Sequence, residues 1–415
     1  MKPFYKSLLP VALAGLALAG CKKDLDTYYT PQAAAGGYET LGTVNAAFNT
    51  KYAPGETVPV TSNYNAGDNP TSITVFQATK TDSSQVGNYP IASGQTINAT
   101  TGLTAQVVPY VVPTTYAIGT LVRVDIILNF QNGGKRTKSF RYQVANAPTL
   151  AFGSPAATYR NGLGATGQAE GDLIGYAVTL NAGGISTSTT PVANLYKNVD
   201  SLVYYASVGG TGALLRQGVI KTPTAGVENK RTIDVRVPSG AAAAGGVTFV
   251  FKAFAQSTVA TLTSPLLAVG APTTFKTTRQ GRLAFGGGVT TDSLAFNLVT
   301  GLNEPAANPV AGKDLQVNGL SSTGTLSLNT PNTTRYYKLT AAQLAANPYA
   351  TATANAIGTL LYQNTPSADL GAPAVGDVYA VKLRGTAEVL LLRVLATKAS
   401  TAGSVGRLKF EYRSL

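Results

Sequence analysis

Apolar and polar residues alternate at period two along much of this chain. The clearest run is Val122, Val124, Ile126, Leu128 and Phe130, interleaved with Arg123, Asp125, Ile127 and Asn129. Side chains on an extended strand point alternately to opposite faces, so such a run has one buried face and one mostly solvated face. Asn132-Gly133-Gly134 follows, and Asn-Gly favours the positive φ angles of a tight turn. The chain then returns through Phe140, Tyr142 and Val144 as the second arm of a hairpin. At the end of the chain, Leu408, Phe410 and Tyr412 face one way, and Arg407, Lys409, Glu411 and Arg413 the other. That pattern predicts a half-buried final strand. Leu294, Phe296 and Leu298 predict another, as do residues 378–383 and 389–395, with Gly385-Thr386-Ala387 as a turn between the last two. Two stretches read as short helices, 341–346 and 352–361, separated by Asn347-Pro348, where proline cannot continue a helix.

The pattern is duplicated. Gly55-Glu56-Thr57-Val58-Pro59-Val60 runs on to Tyr64-Asn65-Ala66-Gly67, and Gly171-Asp172-Leu173-Ile174-Gly175-Tyr176 runs on to Leu180-Asn181-Ala182-Gly183 without a gap between the two. Downstream, Val111-Val112-Pro113 precedes the strand at Val122 by the same offset as Arg236-Val237-Pro238 precedes Val247-Thr248-Phe249-Val250-Phe251. Between these, Ser72-Ile73-Thr74-Val75-Phe76 corresponds to Ser201-Leu202-Val203-Tyr204-Tyr205, and the second copy carries a longer Gly/Ser/Thr loop before its strand. Two copies of one pattern imply two copies of one fold. Seven or so short strands in about 100 residues make an immunoglobulin-like β-sandwich the natural architecture. The cysteine pair and tryptophan of antibody domains are absent, so the match is to the architecture alone. The fold class expected is all-β: tandem immunoglobulin-like β-sandwiches over residues 46–147 and 148–275, then a mostly-β C-terminal domain, 276–415, with a short helical insert.

Composition agrees with this. The 415 residues include 44 Gly and 22 Pro, which suits many short strands joined by turns. At about 150 residues per domain the length accommodates two or three domains. The single cysteine, Cys21, allows no disulfide within the chain, so stability must come from packed cores.

Cys21 is also the most telling residue for location. Met1-Lys2-Pro3-Phe4-Tyr5-Lys6 is a short cationic head, an apolar run extends from Leu8 to Leu18, and Leu18-Ala19-Gly20-Cys21 ends it with small residues. These are the parts of a secretory signal. A plain secretory leader with a chance cysteine is the competing reading. The four residues ending at Cys21 resemble a bacterial lipobox, and with Lys22-Lys23-Asp24 and the tandem sandwiches the chain resembles Bacteroidota surface lipoproteins. The resemblance implies that residues 1–20 are a cleaved signal peptide and that Cys21 becomes an acylated first residue. It further implies an outer-membrane protein, lipid-anchored and exposed at the cell surface. Residues 21–45 read as a flexible tether. No other apolar run approaches the ~20 residues that span a bilayer. The partner implied is therefore the lipid bilayer, through acylated Cys21.

Charge and missing side chains narrow the chemistry. The formal net charge is +13, and loss of Lys2 and Lys6 with the leader leaves +11. For an exported, anchored protein, anionic glycans or lipid headgroups are more reasonable counterparts than nucleic acid, and no nucleic-acid partner is expected. The chain has no histidine, which removes the usual general base, the Ser-His-Asp triad and the commonest metal ligand. With Cys21 acylated, thiol catalysis and zinc–thiolate sites go too, and no Ser-x-x-Lys motif is present. Carboxylate chemistry of the glycosidase kind remains, and it requires two facing acids. The acids here are few and dispersed. No cofactor, metal or catalytic residue is expected.

Several motifs offer both a functional and a structural reading. Gly162-Leu163-Gly164-Ala165-Thr166-Gly167 fits G-x-G-x-x-G, but a strand follows it rather than the helix that a dinucleotide site needs, which predicts a flexible loop entering the second sandwich. Glu170 and Asp172 near Asn161 could supply oxygen ligands to calcium, yet the aligned Glu56 assigns an acid at this position to the repeat. Lys135 and Arg136, with Lys138 and Arg141, could grip an anionic glycan; charges on a hairpin also deter edge-to-edge strand pairing. The chain has 21 Tyr and no Trp, so sugar stacking would fall to tyrosines such as Tyr204, Tyr205, Tyr336 and Tyr337. Of two adjacent tyrosines in a strand, one faces the core. Asp200-Ser201-Leu202 and Asp292-Ser293-Leu294 resemble the Bacteroidota O-glycosylation triplet. The function expected is a non-catalytic surface lipoprotein acting in binding, adhesion or structure. A glycan-binding accessory lipoprotein of a nutrient-uptake system is the alternative, and an enzyme of unrecognised type the third.

Overall fold

The computed structural model describes residues 39–42, 50–95, 97–185, 192–286, 294–305, 307–320, 326–401 and 405–415. The leader, Cys21, most of the tether, and Asp292 and Ser293 lie outside the described residues. The described chain is all-β with a short helical insert. It divides into two compact units, residues up to 147 with 185–197, and residues 148–184 with 198–415.

The first unit is a two-sheet sandwich. One sheet has the order β1 (Glu39–Gly42), β3 (Thr57–Tyr64), β6 (Thr104–Val111). The other runs β2 (Lys51–Tyr52), β8 (Lys135–Val144), β7 (Leu121–Phe130), β4 (Pro70–Ala78), β5 (Ser83–Pro90). Period-two patterning decides which side chains enter: Val122, Val124, Ile126, Leu128 and Phe130 are buried with Phe140, Tyr142 and Val144. Tyr110 and Tyr142 share a hydroxyl–hydroxyl hydrogen bond of 2.7 Å at the centre of an aromatic cluster completed by Tyr52 and Phe140. The β7–β8 hairpin turns at Gly133, whose φ of 79° needs glycine, and Asn132 accepts the Gly134 N–H.

The second sandwich repeats this plan. β9 (Leu150–Tyr159), β10 (Leu173–Leu180) and β13 (Asn229–Arg236) form one sheet in the order β13-β10-β9. β11 (Val199–Val208), β12 (Leu214–Thr224), β14 (Val247–Ala255) and β15 (Thr258–Thr263) form the other in the order β12-β11-β14-β15. The duplication extends to single hydrogen bonds. Gly55 and Gly171 both have positive φ, 79° and 88°. Glu56 accepts the Ala53 N–H at 2.7 Å, and Asp172 accepts the Ala169 N–H at 2.7 Å. The Gly55 N–H donates to the Val112 carbonyl and the Val112 N–H to the Glu56 carbonyl, as the Gly171 N–H donates to the Val237 carbonyl and the Val237 N–H to the Asp172 carbonyl. An acid at this position therefore closes the turn into β3 in the first sandwich and into β10 in the second.

One segment departs from the sequence reading. Residues 185–197, which the repeat pattern places in the second module, belong to the compact first unit. Asn146 accepts and donates backbone bonds with Lys197 and Leu195, and Leu195 is fully buried. The Lys197 ammonium lies 2.6 and 2.7 Å from the two Glu56 carboxylate oxygens and 5.8 Å from the Tyr52 ring centre. Both charged side chains are 1% exposed.

Beyond the second sandwich, a five-stranded sheet has the order β16 (Thr277–Phe285), β25 (Gly406–Ser414), β24 (Val389–Lys398), β23 (Val378–Lys382), β21 (Arg335–Lys338). A second sheet runs β18 (Leu302–Asn303), β17 (Ala295–Asn297), β19 (Leu315–Leu320), β20 (Leu326–Asn329), β22 (Asp369–Gly371). Helix α1 (Ala341–Ala346) starts with a capping box of Thr340 and Gln343. Helix α2 (Ala354–Gln363) starts two residues later than its apolar pattern predicts, because Thr353 caps it by accepting the Ala356 N–H. Ile357 and Leu361 of α2 bury against Val378, Ala380, Val389 and Leu391, while Tyr379, Val381, Leu390 and Leu392 face the other sheet. Both faces of these central strands are covered, which is why they read as continuous apolar runs.

The first strand contains a carboxyl that makes stability depend on pH. Glu39 is buried; Ser62 donates to one carboxylate oxygen at 2.9 Å, and the other has no partner among the described residues. Burial outweighs the Ser62 hydrogen bond and the Lys138 charge and pushes the Glu39 pKa from 4.5 up to about 7. Between those values the folded state holds a proton that the unfolded state has lost. Stability is therefore expected to fall as pH rises from 4.5 and to level off above 7. Thermal melts across this range check it: Glu39→Gln should flatten the profile, and an unchanged slope would contradict the assignment.

Candidate functional site

Within the second unit, a cleft of about 360 Å³ opens between the end of β9, the C-terminal end of α2 and the turn after β23. Thr158, Tyr159, Arg160, Asn161, Tyr362, Lys382 and Thr386 supply its polar lining, and among the described residues no carboxylate lines it. Its walls are built by close backbone approach. A Cβ on Gly358 would meet the Asn161 carbonyl at 2.0 Å, so α2 rests directly on the loop after β9. Gly162, at φ 78°, approaches the Ala387 carbonyl in the same way.

Arg160 is held from three sides. Its Nε donates to Asp234 at 2.8 Å, and its guanidinium lies 4.6 Å from the Tyr362 ring centre. The space it fills lies over Gly175, where a Cβ would stand 2.3 Å from an Arg160 nitrogen. Tyr362 donates its hydroxyl to the second Asp234 oxygen at 2.6 Å. That hydrogen bond keeps the phenol above its usual pKa range, so it stays a donor at neutral pH. Lys382 is exposed and forms no ion pair among the described residues. The arrangement offers a fixed guanidinium, an ammonium outside any ion pair among the described residues, the Thr158 hydroxyl and an aromatic ring, while the Thr386 hydroxyl is held by the Leu383 carbonyl and the Glu388 N–H.

The loop carrying G-x-G-x-x-G proves to be a packed joint, not the flexible entry that the glycines suggest. Asn161 and Gln168 are buried and bond each other, and Asn161 also donates to Asp172 at 2.8 Å. Asp172 further accepts from Asn355 of α2 at 2.6 Å. Burial raises its pKa despite these donors. Glu170 turns away to accept the Ala242 N–H, so it and Asp172 do not converge on one point.

The other residues singled out by sequence are dispersed. Tyr336 is buried, packs against Tyr379 and donates to the Asp314 carbonyl, leaving no ring face for a ligand. Tyr337 is half-buried and pairs with Gln343. Tyr204 packs toward Phe251 and covers Gly218, where a Cβ would meet its hydroxyl at 2.3 Å. Tyr205 is half-buried with the Lys252 ammonium 5.9 Å from its ring. Lys135 is exposed and Arg136 half-buried at the start of β8 in the first unit. None of these six lines the cleft. Sequence reasoning passed over Arg160, Asp234 and Tyr362, which lie 74 and 128 residues apart and share no motif. A second cleft, about 400 Å³ in the first sandwich, is lined among the described residues without any charged side chain.

No protein-family profile matches the chain, and no curated protein does. Among solved structures, the chain is similar to a DUF4466 family protein from Parabacteroides merdae ATCC 43184. The two are 13% identical over 64% of this chain and 99% of that one, with a TM-score of 0.24. It is also similar to red sea bream transglutaminase, with 8% identity, 57% and 31% coverage and a TM-score of 0.18. A third is the tetra-tandem repeat in the extending region of a large adhesion protein, with 9% identity, 91% and 74% coverage and a TM-score of 0.20. Scores this low carry no information on ligand or activity.

Proposed function

We propose that this protein is a non-catalytic binding or adhesion module of the cell surface, held to the outer membrane through an acylated Cys21. The observation that carries the reading is the cleft of the second unit. Its lining combines preorganised donors and an aromatic ring with no acid, a composition suited to holding a ligand and not to acid–base turnover. Two acids that contact lining residues are committed: Asp234 to Arg160 and Tyr362, and Asp172 to three nitrogen donors, Asn161 among them. A glycan-binding accessory role in nutrient uptake is the second reading, favoured by the Tyr362 ring at the cleft.

Two measurements test this. Cys21→Ala should move the protein from the membrane fraction to the soluble fraction; unchanged fractionation together with no lipid on the wild type would refute the anchor. Soluble protein starting after Lys23, applied to a glycan array, should give selective binding under the second reading, and a blank array would leave adhesion to protein as the first.

A further inference from the structure

Among the described residues the cleft lining has two cations and no anion, and this sets what it can hold. Arg160 is partly neutralised from behind by Asp234, whereas Lys382 has no counter-ion among the described residues. A recess lined by one sign of charge concentrates ligands of the other sign. Thr158 adds an exposed side chain with a hydroxyl, Thr386 adds an exposed wall whose hydroxyl is held by the Leu383 carbonyl and the Glu388 N–H, and Tyr362, a residue 42% exposed, adds an aromatic ring. The volume, about 360 Å³, is at the small end of ligand pockets, which run about 300–1,000 Å³. Hydroxyl-bearing walls, one ring and a small open volume suit a short sugar segment better than a peptide side-chain array.

Resting on the reading of this cleft as the binding site, we propose that it takes a carboxylated saccharide, a uronic-acid type sugar. Its carboxylate pairs with Lys382 and the outer edge of Arg160, and its hydroxyls meet Thr158. Charge-assisted hydrogen bonds of this kind are the strong ones, and a guanidinium already held by Asp234, Tyr362 and the space over Gly175 loses little freedom on binding.

The test is calorimetric titration of the full soluble chain with a uronic-acid tetrasaccharide and with its carboxyl-reduced, neutral counterpart. The acid form is expected to bind about tenfold or more tightly than the neutral form, as one charge-assisted contact implies, and to weaken with added salt. Lys382→Glu, an exposed substitution, should abolish the preference without moving the melting temperature, and Thr386→Trp should fill the cleft and remove binding of both sugars. Equal binding of the two sugars, still blocked by Thr386→Trp, would overturn the acidic class and leave the site standing. Binding of the acid form unaffected by either substitution, or no binding of either sugar, would overturn the proposal and the site together.

Discussion

Replacing Lys197 with methionine is expected to destabilise the first unit by about 3–5 kcal/mol, because it leaves a buried carboxylate without its counter-charge. The Glu56 and Lys197 side chains are each 1% exposed, and the ammonium reaches both carboxylate oxygens. Taking two ions out of water costs several kcal/mol each, and their attraction offsets that cost only while both are present. The apparent melting temperature of this unit should drop on the order of 10 °C. The double variant Glu56→Gln with Lys197→Met should recover much of the loss, since glutamine keeps an acceptor for the Ala53 N–H without a charge. If the double variant melts no higher than the single one, the ion pair is not the cause. The same reasoning applies to a fragment of residues 45–147. It contains Glu56 without Lys197, so it should unfold at lower denaturant than a chain extended through residue 197.

A loss of similar size is expected from Asp314→Asn in the C-terminal part of the second unit. Asp314 is fully buried and accepts five hydrogen bonds: two from Arg384, and one each from Asn332, Thr334 and the Leu298 N–H. Arg384 also donates to Asn297, and its backbone is held at a φ of 47° that non-glycine residues rarely adopt. An asparagine presents one acceptor oxygen and turns its amide hydrogens toward donors. The cost should be about 3–5 kcal/mol, with the guanidinium left under-paired. Chemical denaturation of the full chain measures it. A change below about 1 kcal/mol would mean that water replaces the carboxylate and that the network is peripheral.

Local pattern determined what was legible. The alternating runs at Val122 and Leu408, the Asn-Gly turn and the Asn347-Pro348 break all describe neighbours in sequence, and the structure has strands, a hairpin and two helices there. The repeat was legible because the acid and glycine that close each turn recur at a fixed offset from strands of the same order. β16 was missed because Thr277, Thr278, Arg279, Gln280 and Arg282 read as polar, and its pairing with β25 supplies what the pattern lacks. The placement of residues 185–197 was hidden for another reason. A buried lysine is recognisable only once its carboxylate, 141 residues away, is known. The cleft was invisible on the same grounds. Arg160, Asp234, Tyr362 and Lys382 come from four separate parts of the chain, and the tyrosine pairs that stand out in sequence lie outside the cleft.

The most direct measurement is hydrogen exchange of the full soluble chain, with and without saturating uronic-acid tetrasaccharide, followed by mass analysis of the sugar. Slower exchange confined to peptides covering residues 157–164, 359–364 and 382–389, with the sugar recovered intact, is the predicted result. Protection centred on Tyr204 and Tyr205 or on the hairpin at Lys135 and Arg136, or a shortened sugar, would contradict it.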